Sequence, residues 1–134
     1  MQYRLVELLR PFAEGMGVVA AEVPFRALTE YEVRAADVAF VSQSRWDATA
    51  EDDYLRGSPE LIVEVLSRSN TTAEMREKAA LYLATGCLEF WVVDPGRRGV
   101  SVTRRDGENL VIRPGMCVPL AMLGAEIAVG RIFD

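Results

Sequence analysis

Apolar positions recur at helical spacing from Gln2 to about Gly15, through Leu5, Val6, Leu8, Leu9 and Phe12, and Gly15 with Gly17 ends the pattern. This predicts a first helix lying on a sheet, with Pro11 able to kink it because proline removes a backbone hydrogen bond. The spacing then shortens to that of strands. Val18 to Phe25 reads as a strand with Glu22 in its middle and with Pro24 marking an edge or a bulge. Glu32 to Ser42 reads as the next, with Tyr31, Val33, Val38, Phe40 and Val41 as its apolar content and Asp37 embedded. Thr29 and Glu30 between the two fit a hairpin turn. Gln43 to Pro59 follows neither period. It is polar and acidic, with Glu51-Asp52-Asp53 consecutive and Trp46, Tyr54 and Leu55 as anchors, which suggests a functional flap or a mobile excursion. The acidic triplet fits a solvated loop tip better than a metal site.

Glu60-Leu61-Ile62-Val63-Glu64-Val65-Leu66-Ser67 is the next apolar run, fenced by Gly57-Ser58-Pro59 and Arg68-Ser69-Asn70, and it predicts a buried strand. A helix follows from Thr71 to about Thr85. Thr71-Thr72-Ala73-Glu74 has the form of a capping box, Gly86 supplies the stop, and Met75, Ala79, Tyr82 and Leu83 make the buried arc with Lys78 at its margin. Leu88 to Asp94 is a further apolar strand, and Gly99–Arg105 with Asn109–Arg113 form a hairpin around Asp106-Gly107. Short elements near Met116–Leu120 and Glu126–Phe133 finish the chain. Antiparallel neighbours first and a strand–helix–strand crossover later imply an α/β (α+β) fold, a mixed sheet flanked by helices with a C-terminal β extension.

The bulk numbers narrow the chemistry. With 134 residues, half of them hydrophobic, and no repeat, one domain spanning 1–134 is expected. No run approaches a membrane span and no signal segment leads the chain, so a soluble, cytoplasmic protein is expected. The net charge of −5 gives no global field for nucleic acid, so any such contact is local or supplied by an oligomer. There is no histidine, which removes imidazole bases and imidazole metal sites. Cys87 and Cys117 make no CxxC pattern and read as small core residues.

Asp37 and Glu64 are the two positions that this pattern does not explain. Each is a carboxylate inside a run that otherwise calls for cover on both faces, and burying an unpaired charge is expensive. For Glu64 the bland alternatives are a strand end that reaches water or an ion pair to an arginine. For Lys78 the alternative is a side chain whose stem packs while its ammonium stays in water. Taken together, two acids on neighbouring strands and an amine on the next helix suit an oxygen-ligated divalent cation with open positions, Mg²⁺ or Mn²⁺, and an oriented water. Such a site hydrolyses phosphodiesters without histidine.

The ordered set Ala36-Asp37-Val38-Ala39-Phe40-Val41, Pro59-Glu60-Leu61-Ile62-Val63-Glu64-Val65-Leu66-Ser67, Glu77-Lys78-Ala79-Ala80-Leu81-Tyr82 and Gly86…Phe90-Trp91-Val92-Val93-Asp94-Pro95 resembles the Uma-type family of restriction-endonuclease-like proteins, within the PD-(D/E)XK nuclease superfamily. The likeness runs from about Val18 to Phe133. It implies a restriction-endonuclease-like αβββαβ core, Asp37 and Glu64 as catalytic metal ligands with the backbone carbonyl of Val65 as a third, and Lys78 in place of the motif lysine, since Leu66 stands at that position. Ala36 and Arg68 replace prolines usual in the family, and the additional N-terminal segment common in relatives is not seen before the first helix. Glu22 is a second-tier candidate for the same cleft, Ser67 and Tyr82 could line it, and Trp91 is assigned to the core. The resulting expectation is a Mg²⁺-dependent endonuclease acting on DNA as a homodimer. Its rivals are a catalytically inactive dimeric binding or scaffold module that keeps the fold, and a structural pairing of Lys78 with Glu64 with no cleft beside it.

Overall fold

A computed structural model of the chain describes residues 1–28 and 32–134; the expected turn at Thr29 and Glu30, and the contribution of Tyr31, lie outside the described residues. The first apolar stripe becomes α1 (Gln2–Ala13), which buries Leu5, Val6, Leu9 and Ala13. Pro11 sits in its last turns, where little helix remains to be disrupted. Two long strands follow, β1 (Gly17–Arg26) and β2 (Arg34–Ser42), then α2 (Gln43–Ala48), the edge strand β3 (Leu55–Arg56) and the central strand β4 (Leu61–Val65). Next come α3 (Thr72–Ala84), β5 (Glu89–Asp94) and the hairpin β6 (Gly99–Arg104) with β7 (Asn109–Ile112). The chain closes with β8 (Cys117–Leu120), β9 (Ala125–Ala128) and α4 (Val129–Phe133).

Among the described residues seven strands form one mixed sheet in the order β3-β1-β2-β4-β5-β6-β7, and β8 with β9 makes a separate hairpin. β4/β5, joined through α3, and β1/β3 are parallel, while β1/β2, β2/β4, β5/β6 and β6/β7 are antiparallel. This is the expected mixed α/β architecture. Apolar side chains gather on both faces. On one, α1, α4 and the small hairpin cover Val38, Val63, Trp91 and Val102; on the other, α3 covers Phe25, Ile62 and Phe90. Tyr82 of α3 meets Phe25 and Phe90 edge to face at 5.3 and 5.7 Å between ring centres. Trp91 is fully buried, as expected.

Three expectations need correction. Residues 43–59 are folded onto the sheet rather than forming an excursion: Arg45 donates to the carbonyls of Ser58 (2.9 Å) and Arg56 (2.8 Å) and pairs with Glu60 (2.7 Å), and Leu55 is buried. Trp46 and Tyr54 are covered only in part, with the Arg26 guanidinium 5.3 Å from the Tyr54 ring centre, while the acidic triplet is exposed as expected. The last segment is a strand and then a helix, because Val129 and Ile132 turn into the core at helical spacing. Cys87 is buried but Cys117 is exposed, since on β8 it is Val118 and Leu120 that face inward.

Gly17 opens β1 where the strand passes closest to β2. A Cβ there would lie 2.2 Å from the Val41 carbonyl oxygen and 2.6 Å from the Phe40 ring. Gly17→Ala is therefore expected to lower stability by about 1–3 kcal/mol, read as a fall in the urea midpoint with an unchanged slope.

Candidate active site

The β2–β4 ladder pairs Phe40 with Leu61, Ala39 with Ile62 and Val38 with Val63, and then stops. The next rung would join Asp37 to Glu64. There the side chains take over from the backbone: the Asp37 N–H donates to Glu64 Oε2 (3.2 Å) and the Val65 N–H donates to Asp37 Oδ2 (2.8 Å). Each acid thus satisfies a backbone donor on the other's strand, and this crossing holds both carboxylates at one place. The local cause shows in the packing. On β1, Val19 and Ala21 pack with α1, yet Val23 and Phe25, of the same parity, pack with α3. On β2, Val38 packs with α1 and Ala36 with α3. Both strands turn over at the rung of Glu22 and Asp37, and on β1 the reversal coincides with the left-handed φ of 53° at Glu22.

The two acids open onto a cleft of about 450 Å³ lined by Gln2, Asp37, Glu64, Val65, Ser67, Asn70 and Lys78 among others. Lys78 comes from the second turn of α3, and its Nζ lies 3.3 Å from Glu64 Oε1. The Lys78 side chain is about 29% exposed and that of Glu64 about 4%. Burial, and next the neighbouring Asp37 charge, push the Glu64 carboxyl up to about 7, against a smaller opposing pull from Lys78. Lys78 and Glu64 do touch, but beside an open cleft, so their pairing does not exhaust the site.

The other expected residues divide. Val65 and Ser67 line the cleft; Ser67 is also tied to Asn70, to whose Oδ1 both its N–H and its hydroxyl donate at 2.9 Å. Tyr82 is a core residue, with the Arg34 guanidinium 5.8 Å from its ring centre, and its phenol is raised by burial. Glu22 is exposed and absent from the cleft lining. Ala36 is buried on the α3 side and Arg68 is exposed. Half of the expected capping box forms: Thr71 Oγ1 accepts from the Glu74 N–H (3.1 Å), whereas the Glu74 carboxylate accepts a hydrogen bond from Asn70 Nδ2 (3.4 Å). Gln2 was not foreseen. Its Nε2 donates to Asp37 Oδ1 (3.2 Å), and nothing in the pattern of an exposed helix start signals such a reach.

Among the described residues, no three acidic or cysteine side chains gather into a ready metal cage. The set present still fits a hard cation that keeps most of its water, which one or two carboxylates suffice to hold. One oxygen of each acid is engaged by a backbone N–H, and the other carries only a long contact from a flexible side chain, Gln2 on Asp37 Oδ1 and Lys78 on Glu64 Oε1. Those two oxygens can be released to a cation without breaking the strand crossing.

Residues 1–127 match the Uma2 family, described as "Putative restriction endonuclease". No curated protein matches the chain. Among solved structures, a protein from Anabaena variabilis ATCC 29413, described as a "putative nuclease belonging to DUF820", shares the fold with a TM-score of 0.82 over 98% of this chain and 77% of its own, at 18% identity.

Proposed function

The chain belongs to the Uma2 family of "Putative restriction endonuclease" proteins, and from that premise we propose that the Asp37–Glu64–Lys78 cleft hydrolyses phosphodiester bonds in DNA with Mg²⁺ or Mn²⁺. The observation that carries the reading is the strand crossing: it keeps two carboxylates together at one open cleft, with a single lysine beside them. Asp37 and Glu64 would hold the cation, with the Val65 carbonyl as a third donor. When bound, that cation supplies polarisation of the scissile phosphate and a water acidic enough to lose its proton near neutral pH. Lys78 contributes a positive charge at the mouth of the cleft, free to leave Glu64 and orient the attacking water or offset the charge that develops on phosphate. Cutting both strands of a duplex calls for two such clefts, so the reading includes a homodimer, acting in the cytoplasm. Among the described residues no helix is long and apolar enough to cross a membrane.

The inactive scaffold is favoured by the net charge of −5 and separated by two measurements. Incubation with single-stranded, duplex and supercoiled DNA is expected to give cleavage only when Mg²⁺ or Mn²⁺ is added. The same ions at a hundredfold excess over Kd should add about 2.7 kcal/mol of stability. A scaffold would show neither.

A further inference from the structure

Helix α3 packs over the centre of the sheet and leaves the same face of β6 and β7 uncovered. Ser101, Thr103, Asn109 and Val111 floor a groove there of about 640 Å³, with Met75 of α3 on its wall. The groove runs into the active-site cleft, for Asn70 and Met75 line both. Three guanidinium groups stand around it, those of Arg76, Arg97 and Arg113, against one carboxylate, Asp94. Arg97 is 91% exposed and only 4.0 Å from Asp94 at its nearest, and among the described residues neither Arg76 nor Arg113 has a carboxylate within ion-pair reach. In a chain of net charge −5 this is a local reversal of sign, placed beside the two acids. A polyanion is the partner that such a groove complements.

We propose that this groove carries the nucleic-acid strand that runs into the cleft, its phosphates held by Arg76, Arg97 and Arg113; the proposal rests on the nuclease reading and gives its substrate a path. Small polar side chains on the floor suit contacts to sugar and phosphate, which fix register without reading sequence. The arginines come from three separate elements, α3, the β5–β6 turn and the segment after β7, so a strand spanning them is oriented relative to Asp37 and Glu64.

The test is binding of a fluorescent DNA duplex to the Glu64→Gln chain in Mg²⁺, followed by anisotropy over a salt series. With Arg76, Arg97 and Arg113 all changed to alanine, the slope of log K against log salt is expected to flatten by about 3, and lysine at the same positions should restore most of it. All three side chains lie at the surface, and an unchanged melting temperature checks the fold. An unchanged slope in the alanine variant, with the wild-type chain still cutting DNA, overturns the groove and leaves the nuclease reading standing. Failure of the Glu64→Gln chain to bind DNA together with failure of the wild-type chain to cut it overturns both. A dimer that the alanine changes dissociate, with DNA affinity unaltered, assigns the groove to a second copy and overturns the proposal.

Discussion

Asp37→Ala and Glu64→Ala are each expected to lower Mg²⁺-dependent DNA cleavage by about a thousandfold or more, because each removes one of the two carboxylates proposed to hold the cation. The fold should survive. Loss of Glu64 leaves the Asp37 N–H without its acceptor, and loss of Asp37 does the same to the Val65 N–H. An orphaned donor costs about 1–3 kcal/mol if water cannot reach it, but the cleft is open, and the Glu64 change also removes a carboxylate that burial disfavours. Far-UV circular dichroism should therefore be unchanged where activity is gone. Lys78→Ala is expected to fall between, with a loss of about a hundredfold, since the amine assists but holds no metal. Undiminished cleavage by both acid variants would refute the assignment.

The second large effect is on pH. In the metal-free protein the Glu64 carboxyl lies at about 7, above its ordinary value of 4.5. Between those two pH values the folded chain binds more protons than the unfolded chain, so stability falls as pH rises through this window. The full stabilisation is present below about 4.5 and is lost above about 7. A shift of this size corresponds to roughly 3 kcal/mol, and Glu64→Gln should abolish this contribution. Urea midpoints at both ends of the window measure it. A divalent cation competes with the same proton, so Mg²⁺ affinity should drop about tenfold for each pH unit below 7, and cleavage should rise with pH across the same interval. A flat metal affinity from pH 5 to 7 would mean that Glu64 takes no part in binding.

Asp37 and Glu64 were legible in the sequence because a carboxylate inside an apolar run is conspicuous whatever the final fold. Lys78 was not conspicuous alone: a lysine at the margin of a helical arc is ordinary, and only its place on the helix after the Glu64 strand joined it to the two acids, a set that the family resemblance then matched. The main strands and α3 were legible from period and punctuation. Residues 43–59 were not, since a helix of six residues and a strand of two are too short to display a period. Their folding depends on Arg45, whose partners Arg56, Ser58 and Glu60 lie more than ten residues away. Gln2 and the three groove arginines escaped for the same reason. Their roles come from where the tertiary fold puts them, and no local spacing records that.

The turn-over of β1 and β2 at Glu22 and Asp37 has a further consequence for how this protein tolerates change. Deleting or inserting a single residue in either strand upstream of that rung would swap inside for outside along everything that follows, and the acid would be aimed at the wrong compartment. Length variation should therefore be accepted in the connecting loops and rejected in these two strands. A scan of one-residue deletions would map that frame directly.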